Sequence, residues 1–119
     1  MIRLNEIRFD GARAVEGYGR DFFRIGGARI EGHVIVTPQA VLRWGGLQDL
    51  PPLVALAGEI DILLLGTGAA MARAPGELVA ALDALGIGVE PMDSAAAART
   101  YNVLLSEGRR AGAALLTIG

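Results

Sequence analysis

The sequence predicts an α/β domain built around a mixed sheet, and three observations support this fold class. The chain has 119 residues, which is enough for one domain and too few for two. Hydrophobic residues make up 52% of it and charged residues 20%, which favours a buried core over disorder. The first half has the pattern of short strands, and the second half alternates strands with helices. We therefore expect residues 1–119 to form a single domain of two or three layers.

The first half is predicted to form a β-hairpin or a small meander. Aromatic and β-branched residues, or alternating ones, predict strands in four places, which are Tyr18–Ile25, Arg29–Glu31, His33–Thr37 and Val41–Trp44. Gly26 and Gly27 provide a turn signal between the first two strands, and Pro38 stops the third. A connector follows over residues 47–59. Its Pro51-Pro52 pair is expected to break the chain before one helical turn over Leu53–Ala57.

From Asp61 onwards the pattern is strand, helix, strand, helix, strand. The uninterrupted apolar run Ile62–Leu65 is typical of a central strand that is covered on both faces. Pro75 suits the first position of a helix, and Gly86 suits the position just after its end. Three leucines recur at helical spacing between them, at Leu78, Leu82 and Leu85. The next strand is predicted over Ile87–Met92.

The second helix is amphipathic and is expected to be capped by Asp93 or Ser94. One predicted face carries Ala97, Tyr101, Leu104, Leu105 and Gly108, and the other carries Arg99, Asn102, Ser106 and Arg110. Gly112 is expected to end this helix, and Ala113–Ile118 to form the last strand. A strand-helix-strand unit of this length predicts parallel strands with a right-handed connection.

The residue types in the chain exclude several kinds of chemistry. The sequence contains no cysteine and no lysine, which excludes disulfides, thiolate metal sites and Schiff-base catalysis. It has one histidine, His33, and two serines, Ser94 and Ser106, so a catalytic triad or a histidine metal site has almost nothing to be built from. We expect neither a metal nor a cofactor. A net charge of −2 argues against a nucleic-acid partner.

Two loops are the main candidates for a binding site. Gly66-Thr67-Gly68 follows a buried strand, and small residues there let backbone amides approach a phosphate or a carboxylate. Asp93-Ser94 begins a helix whose free amides lie at the end of the next strand, with Arg99 and Asn102 further along. If the two strands are parallel, both loops open at one sheet edge, where ligands bind in open α/β sheets. The alternative is a tight turn and ordinary helix capping. The dinucleotide fingerprint fails, because its sixth position is Met71.

Other polar and aromatic residues have simpler interpretations. A set of charged residues could do acid-base work but is more typical of surface ion pairs: Glu90, Asp93, Arg99, Glu107, Arg109 and Arg110. His33 lies in a β-branched strand, which favours a hydrogen-bonded structural histidine over a base. Phe22, Phe23 and Trp44 are natural core residues, although a Trp beside two glycines also suits an interface.

The second half of the chain resembles a known family. The resemblance rests on Asp61–Gly68, on Gly86–Ser94 and on Ala98–Arg110, with agreeing residues upstream at Tyr18-Gly19, Phe22, Gly32, Ile35, Thr37-Pro38 and Trp44. These strings are similar to the Mth938-like domain, a domain of unknown function. The sequence departs from the family at Ser94, where threonine is common, and at Ala98, where many members have cysteine.

The resemblance implies a three-layer α/β fold with a mixed central sheet: an N-terminal β-hairpin followed by βαβαβ. The family includes a mitochondrial assembly factor of respiratory complex I and an adipogenesis-associated protein, and it implies no established enzymatic activity. We therefore expect a non-catalytic binding or assembly module whose partner is another protein. It would use an exposed strand edge or the helix face from Arg99 to Arg110. The alternative is a protein, or an enzyme, that binds a small anionic molecule at the two loops.

The N-terminal stretch bears on location. Residues 1–6 are mixed and charged, unlike a signal peptide, and no apolar stretch approaches the roughly 20 residues of a membrane helix. We therefore expect a cytoplasmic protein.

Overall fold

The computed structural model describes residues 6–7 and 13–119, and within these it has nine strands and three helices. In chain order they are β1 Glu6–Ile7, β2 Val15–Tyr18, β3 Phe22–Ile25, β4 Ala28–Glu31, β5 Val34–Val36, β6 Val41–Arg43, α1 Pro51–Val54, β7 Ile62–Gly66, α2 Gly76–Asp83, β8 Gly88–Met92, α3 Ser94–Ser106 and β9 Ala111–Leu115. Our expectation that the chain lacks a signal peptide concerns residues that lie mostly outside the described part.

The central sheet is mixed, as the sequence predicts. It has six strands in the order β1-β6-β5-β9-β7-β8. β7 is parallel to both β8 and β9, whereas β5 is antiparallel to β6 and β9, and β6 is antiparallel to β1. The predicted parallel pairing of the strands on either side of α2 is therefore confirmed.

Strands β2, β3 and β4 form a second, smaller antiparallel sheet in the order β2-β3-β4. Our prediction of one strand over Tyr18–Ile25 was wrong, because the chain turns between β2 and β3. The amide of Gly19 donates to the Phe22 carbonyl oxygen at 3.1 Å, and the Phe22 ring covers Gly19 so closely that no Cβ would fit there. The predicted turn at Gly26 and Gly27 is confirmed, with φ values of 59° and 80° that suit a two-residue hairpin.

The elements pack in three layers around the six-stranded sheet. α1 and α2 cover one face, while α3 and the small sheet cover the other, so that there are two separate hydrophobic clusters. Along β7 the side chains alternate between them: Leu63 and Leu65 belong to the α1/α2 cluster, and Leu64 belongs to the α3 cluster. This double coverage explains the uninterrupted apolar run in the sequence.

Two predictions about where helices begin were wrong. Pro51 and Pro52 do not break the chain but occupy the first two positions of α1, where a missing N–H costs nothing. Pro75 lies one position before the predicted one, at the N-cap of α2, and its side chain offers no cap. Asp93 is the N-cap of α3, which settles the choice between Asp93 and Ser94.

The end of α2 was predicted correctly, whereas the end of α3 was not. α2 ends at Asp83, and Gly86 closes it as predicted: its φ is 79°, its amide donates to the Asp83 carbonyl oxygen at 3.0 Å, and the Ile87 amide donates to the Leu82 carbonyl oxygen at 3.0 Å. Leu85 lies just beyond the helix and is 40% exposed. α3 ends at Ser106, and the chain turns at Gly108, which has a φ of 73°. Gly112 lies inside β9 instead. A Cβ there would lie 3.2 Å from the Ile60 side chain and 3.3 Å from the Val36 carbonyl oxygen, so this glycine allows close packing in the sheet.

Candidate functional site

The two predicted loops meet at one edge of the central sheet. β7 and β8 end side by side, and the Thr67 amide donates to the Met92 carbonyl oxygen at 2.9 Å. The Ser94 amide donates to the Gly68 carbonyl oxygen at 2.9 Å, and the Gly68 amide donates to Ser94 Oγ at 2.9 Å. The structure therefore brings Gly66–Gly68 and Asp93-Ser94 together. We call residues 66–72 with 93–94 the joined loops.

Ser94 is fully buried at the centre of the joined loops. Besides accepting from Gly68, its hydroxyl donates to the Leu116 carbonyl oxygen at 2.6 Å, so it links the loops to the chain after β9. A Cβ at Gly66 would lie 2.8 Å from Ser94 Oγ and 2.9 Å from Ser94 Cα. A glycine is needed there because α3 begins so close to the end of β7.

Thr67 organises the exposed part of the joined loops. Its hydroxyl donates to the Ala70 carbonyl oxygen at 2.7 Å and accepts from the Ala72 amide at 2.9 Å. The loop presents Met71, which is 62% exposed. Asp93 accepts a hydrogen bond from the Ala96 amide at 2.9 Å, so its carboxylate caps α3. The polar groups at this edge thus bond largely with one another.

Two predicted binding residues remain, Arg99 and Asn102. Asn102 bonds to Val15 and not to the joined loops. Its side-chain oxygen accepts from the Val15 amide at 2.9 Å, and its side-chain nitrogen donates to the Val15 carbonyl oxygen at 2.8 Å. Asn102 is half-buried and holds α3 against β2, whereas Arg99 is exposed on α3. Asn102 therefore does not contact the joined loops in this structure.

Charged residues outside the loops lie mainly at the surface. Glu90, Glu107 and Arg109 are exposed. Arg110 donates to the Gly58 carbonyl oxygen at 2.6 Å and lies 3.5 Å from the Asp61 carboxylate. Within residues 6–7 and 13–119 there is no group of three or more histidine or acidic residues that could hold a metal ion.

His33 lies at the same sheet edge, which the sequence did not indicate. Its Nδ1 accepts a hydrogen bond from the Thr117 amide at 3.0 Å, and its ring packs edge-on against Trp44, with 6.4 Å between ring centroids. Trp44 is buried, and its indole N–H donates to the Asp49 carbonyl oxygen at 2.9 Å. His33 is thus a hydrogen-bonded residue of the fold, as we expected. Its place beside Thr117 depends on the long-range pairing of β5 with β9.

α3 presents an exposed stripe that the sequence revealed only in part. Arg99, Val103 and Ser106 are spaced four and three residues apart, so they lie on one side of the helix. All three are exposed, and Val103 is 55% exposed. We call these three residues the α3 stripe.

A shallow groove of about 270 Å³ lies on the opposite side of the molecule, between α2 and the segment before α1. It is lined by Leu47, Gln48, Leu50, Pro75, Glu77 and Leu78. In the described part of the chain, no helix is both long and apolar enough to cross a membrane.

The fold and the site together define a class of protein: a small three-layer α/β domain whose sheet-edge loops are joined by internal hydrogen bonds. The chain belongs to the family described as protein of unknown function (DUF498/DUF598), whose model matches residues 15–116. It is 54% identical, over 108 residues, to an uncharacterized protein of Rhodobacter capsulatus, covering 91% of this chain and 87% of that protein.

One relative, from mouse, is named for its function. The chain is 34% identical to NADH dehydrogenase (ubiquinone) 1 alpha subcomplex assembly factor 3 of Mus musculus, over 97% of this chain and 66% of that protein. The chain therefore spans just under two thirds of that relative's length.

Solved structures show the same fold. A protein of Bartonella henselae described as an outer membrane protein is 30% identical with a TM-score of 0.84, covering 94% of this chain and all of that one. A Bordetella pertussis protein described as a Mth938-like domain is 28% identical with a TM-score of 0.77, covering 99% of this chain and 94% of that one. The resemblance to the Mth938-like domain is confirmed.

Proposed function

We propose that this chain is a non-catalytic binding module that assists the assembly of a multiprotein complex, with a respiratory complex as the first candidate. One observation carries the proposal: 97% of the chain matches a relative that is named as an assembly factor, at 34% identity. An assembly factor works by binding other proteins. The structure therefore has to offer a surface for a protein partner.

The α3 stripe is the surface that fits this role best. It combines an exposed apolar side chain, Val103, with the guanidinium of Arg99, and arginine is enriched where interfaces are strongest. Among the described residues, neither Arg99 nor Arg109, which follows the C-terminal end of α3, makes an ion pair. The partner should therefore present acidic side chains around an apolar one.

The free edge of β8 is a poorer surface for a partner strand. The amide of Gly88 and the carbonyl of Met92 both bond towards β7, so Val89 and Pro91 direct their backbone groups outwards. Pro91 has no N–H to donate, and the neighbouring Glu90 places a charge at this edge. These features discourage strand addition there and favour the helix face.

Cross-linking followed by affinity purification from native lysate tests the proposal. We expect the tagged chain to retain a partner that Val103→Asp and Arg99→Glu lose. Arg73→Glu is the matched control, because it reverses an exposed arginine next to α2, in the layer on the other side of the sheet. A chain that elutes alone after cross-linking, or a partner equally retained by all the variants, would contradict the proposal.

A cytoplasmic location is part of the same proposal. Fractionation of the native cell tests it, with the chain expected in the cytoplasmic fraction. Recovery in an envelope fraction would contradict this location and would instead agree with the description of the Bartonella henselae relative as an outer membrane protein.

A small anionic ligand at the joined loops is the second candidate. It is favoured by the meeting of Gly66–Gly68 with Asp93-Ser94 at the edge where α/β sheets bind ligands. A thermal-shift screen over nucleotides, phosphates and carboxylates tests it. A ligand present at a hundred times its dissociation constant should stabilise the protein by about 2.7 kcal/mol, and Arg99→Ala should reduce that gain. No stabilisation by any of these compounds would remove this candidate.

A further inference from the structure

The outer edge of the small sheet is open along β4. β4 pairs with β3 on one side, and no other described strand lies beside it. In an antiparallel pair, opposite residues alternate between bonded and non-bonded pairs. Two observations fix this alternation. The two-residue turn makes Ile25 and Ala28 a bonded pair, and the Gly32 amide donates to the Asp21 carbonyl oxygen at 2.9 Å.

It follows that Arg29 and Glu31 form the non-bonded pairs with β3. Their backbone N–H and C=O groups therefore point away from β3 and out of the sheet edge. Within the described residues these four groups have no hydrogen-bond partner. Between them, Ile30 directs its backbone groups to β3 and its side chain into the core, where it is 1% exposed.

The charges on this edge complement a copy of themselves. When two β4 strands pair antiparallel about a two-fold axis at Ile30, Arg29 of each copy lies directly opposite Glu31 of the other. Both of these are bonded pairs, so together they supply four backbone hydrogen bonds. Like charges at positions 29 and 31 would repel here, whereas the opposite charges attract. The edge thus differs from a protected edge, whose charges oppose pairing with any strand.

In a single copy the two charged side chains of this edge, Arg29 and Glu31, already pair with each other. The Arg29 guanidinium lies 3.8 Å from the centroid of the Phe22 ring, and its Nε lies 2.7 Å from the Glu31 carboxylate. Both side chains remain more than half exposed, at 51% and 61%. The Glu31 carboxylate can therefore exchange its partner on the same strand for the arginine of the second copy without leaving solvent.

We propose that this chain forms a two-fold homodimer in which the β4 edges pair antiparallel, joining the two small sheets into one sheet of six strands. The interface lies on β4 and does not use the α3 stripe. A homodimer formed in this way leaves α3 free for a different partner, so the two proposals succeed or fail separately.

Charge reversal tests the dimer. Arg29→Glu gives each copy two acidic residues at the edge, and Glu31→Arg gives each copy two basic ones. Sedimentation velocity over a concentration series should show a wild-type dimer, and each single variant should raise the dimer dissociation constant about tenfold or more. The double variant carrying both changes restores opposite charges and should dimerise like the wild type. An equimolar mixture of the two single variants should form a mixed dimer.

Arg24→Glu is the matched control, because Arg24 is opposite Arg29 on the same exposed face but lies in the central strand β3. It should leave the dimer intact, and far-UV circular dichroism checks that every variant is folded. A wild type that stays monomeric throughout the series would overturn the proposal. A dimer that withstands both single reversals would also overturn it, because its interface would then lie elsewhere.

Discussion

At the scale of single residues, Asn102 connects α3 to β2 by satisfying both backbone groups of Val15. Within the part of the chain that the structure describes, no strand pairs with β2 on this side, because β2 is an edge strand of the small sheet. Asn102→Ala leaves a donor and an acceptor without partners beside the core, where each unsatisfied group costs about 1–3 kcal/mol. We therefore expect the free energy of unfolding to fall by about 2 kcal/mol or more, measured by urea denaturation.

Ser106→Ala is the control for this prediction. Its hydroxyl donates to a carbonyl of its own helix at 2.7 Å and is exposed, so its loss should change the stability by less than about 0.5 kcal/mol. Equal effects of the two substitutions would show that Asn102 does not act through Val15.

Tyr101 should make the stability fall at alkaline pH. Its buried hydroxyl donates to the Arg13 carbonyl oxygen at 2.8 Å. Burial raises the pKa of Tyr101 above its ordinary value, and the Arg13 charge acts in the opposite direction with a smaller effect. Above about pH 10 the unfolded phenol loses its proton while the folded one keeps it, so unfolding releases a proton. The free energy of unfolding should then fall by up to about 1.4 kcal/mol per pH unit.

The measurement is urea denaturation between about pH 8 and pH 11, with Tyr101→Phe as the comparison. The Phe variant loses a hydrogen bond and should be less stable by about 1 kcal/mol at neutral pH. Its stability should fall less steeply above about pH 10. The same slope in both proteins would assign the alkaline loss to other groups.

At the scale of elements, the close approach of β7 and α3 depends on Gly66. Gly66→Ala places a Cβ within 3 Å of the Ser94 backbone and hydroxyl, and neither can move without breaking the hydrogen bonds that join the loops. Overpacking of this kind costs about 1–3 kcal/mol, and we expect at least that loss in the free energy of unfolding. Thermal or urea denaturation measures it.

Gly76→Ala is the matched control for Gly66→Ala. Gly76 is the first residue of α2, and a Cβ there would meet nothing within 4 Å. Because alanine favours the helix and restricts the unfolded chain, this change should be neutral or stabilising by up to about 1 kcal/mol. A Gly66→Ala variant as stable as Gly76→Ala would mean that β7 and α3 do not approach as closely as described.

Elements with a local signal were predictable from the sequence. The apolar run of β7 and the start of α3 at Asp93 or Ser94 could be predicted because periodicity and capping act over a few neighbouring residues. Gly112 was misread, because the same residue serves to end a helix or to let strands pack closely. The two roles differ only in what lies beside the residue in the folded chain.

The candidate site was predictable to the same extent. The sequence predicted that both loops open at one sheet edge if their strands are parallel, but it did not give the strand order that makes β7 and β8 neighbours and brings the loops together. The contacts of Asn102 with Val15 and of His33 with Thr117 join residues more than 80 positions apart. Nothing in the local pattern indicates such pairs.

At the scale of the whole molecule, β7 belongs to both hydrophobic clusters and should make them unfold together. Leu64 faces the α3 cluster, whereas Leu63, Leu65 and the single tryptophan, Trp44, belong to the α1/α2 cluster. Leu64→Ala removes a side chain from the α3 cluster alone, which should lower the free energy of unfolding by about 2–5 kcal/mol. If the chain is one cooperative unit, the loss must also appear on the α1/α2 side.

Two probes of urea denaturation test this cooperativity. Trp44 fluorescence reports on the α1/α2 cluster, and far-UV circular dichroism reports on the whole chain. We expect Leu64→Ala to lower both urea midpoints equally. The control Val79→Ala replaces a side chain of α2 that is 38% exposed, and it should change the free energy of unfolding by less than about 0.5 kcal/mol with either probe. A tryptophan transition that keeps its midpoint in Leu64→Ala while the dichroism shifts would mean that the two layers unfold independently. In that case β7 would not couple them, and the alternation of Leu63, Leu64 and Leu65 would divide the molecule into two folding units.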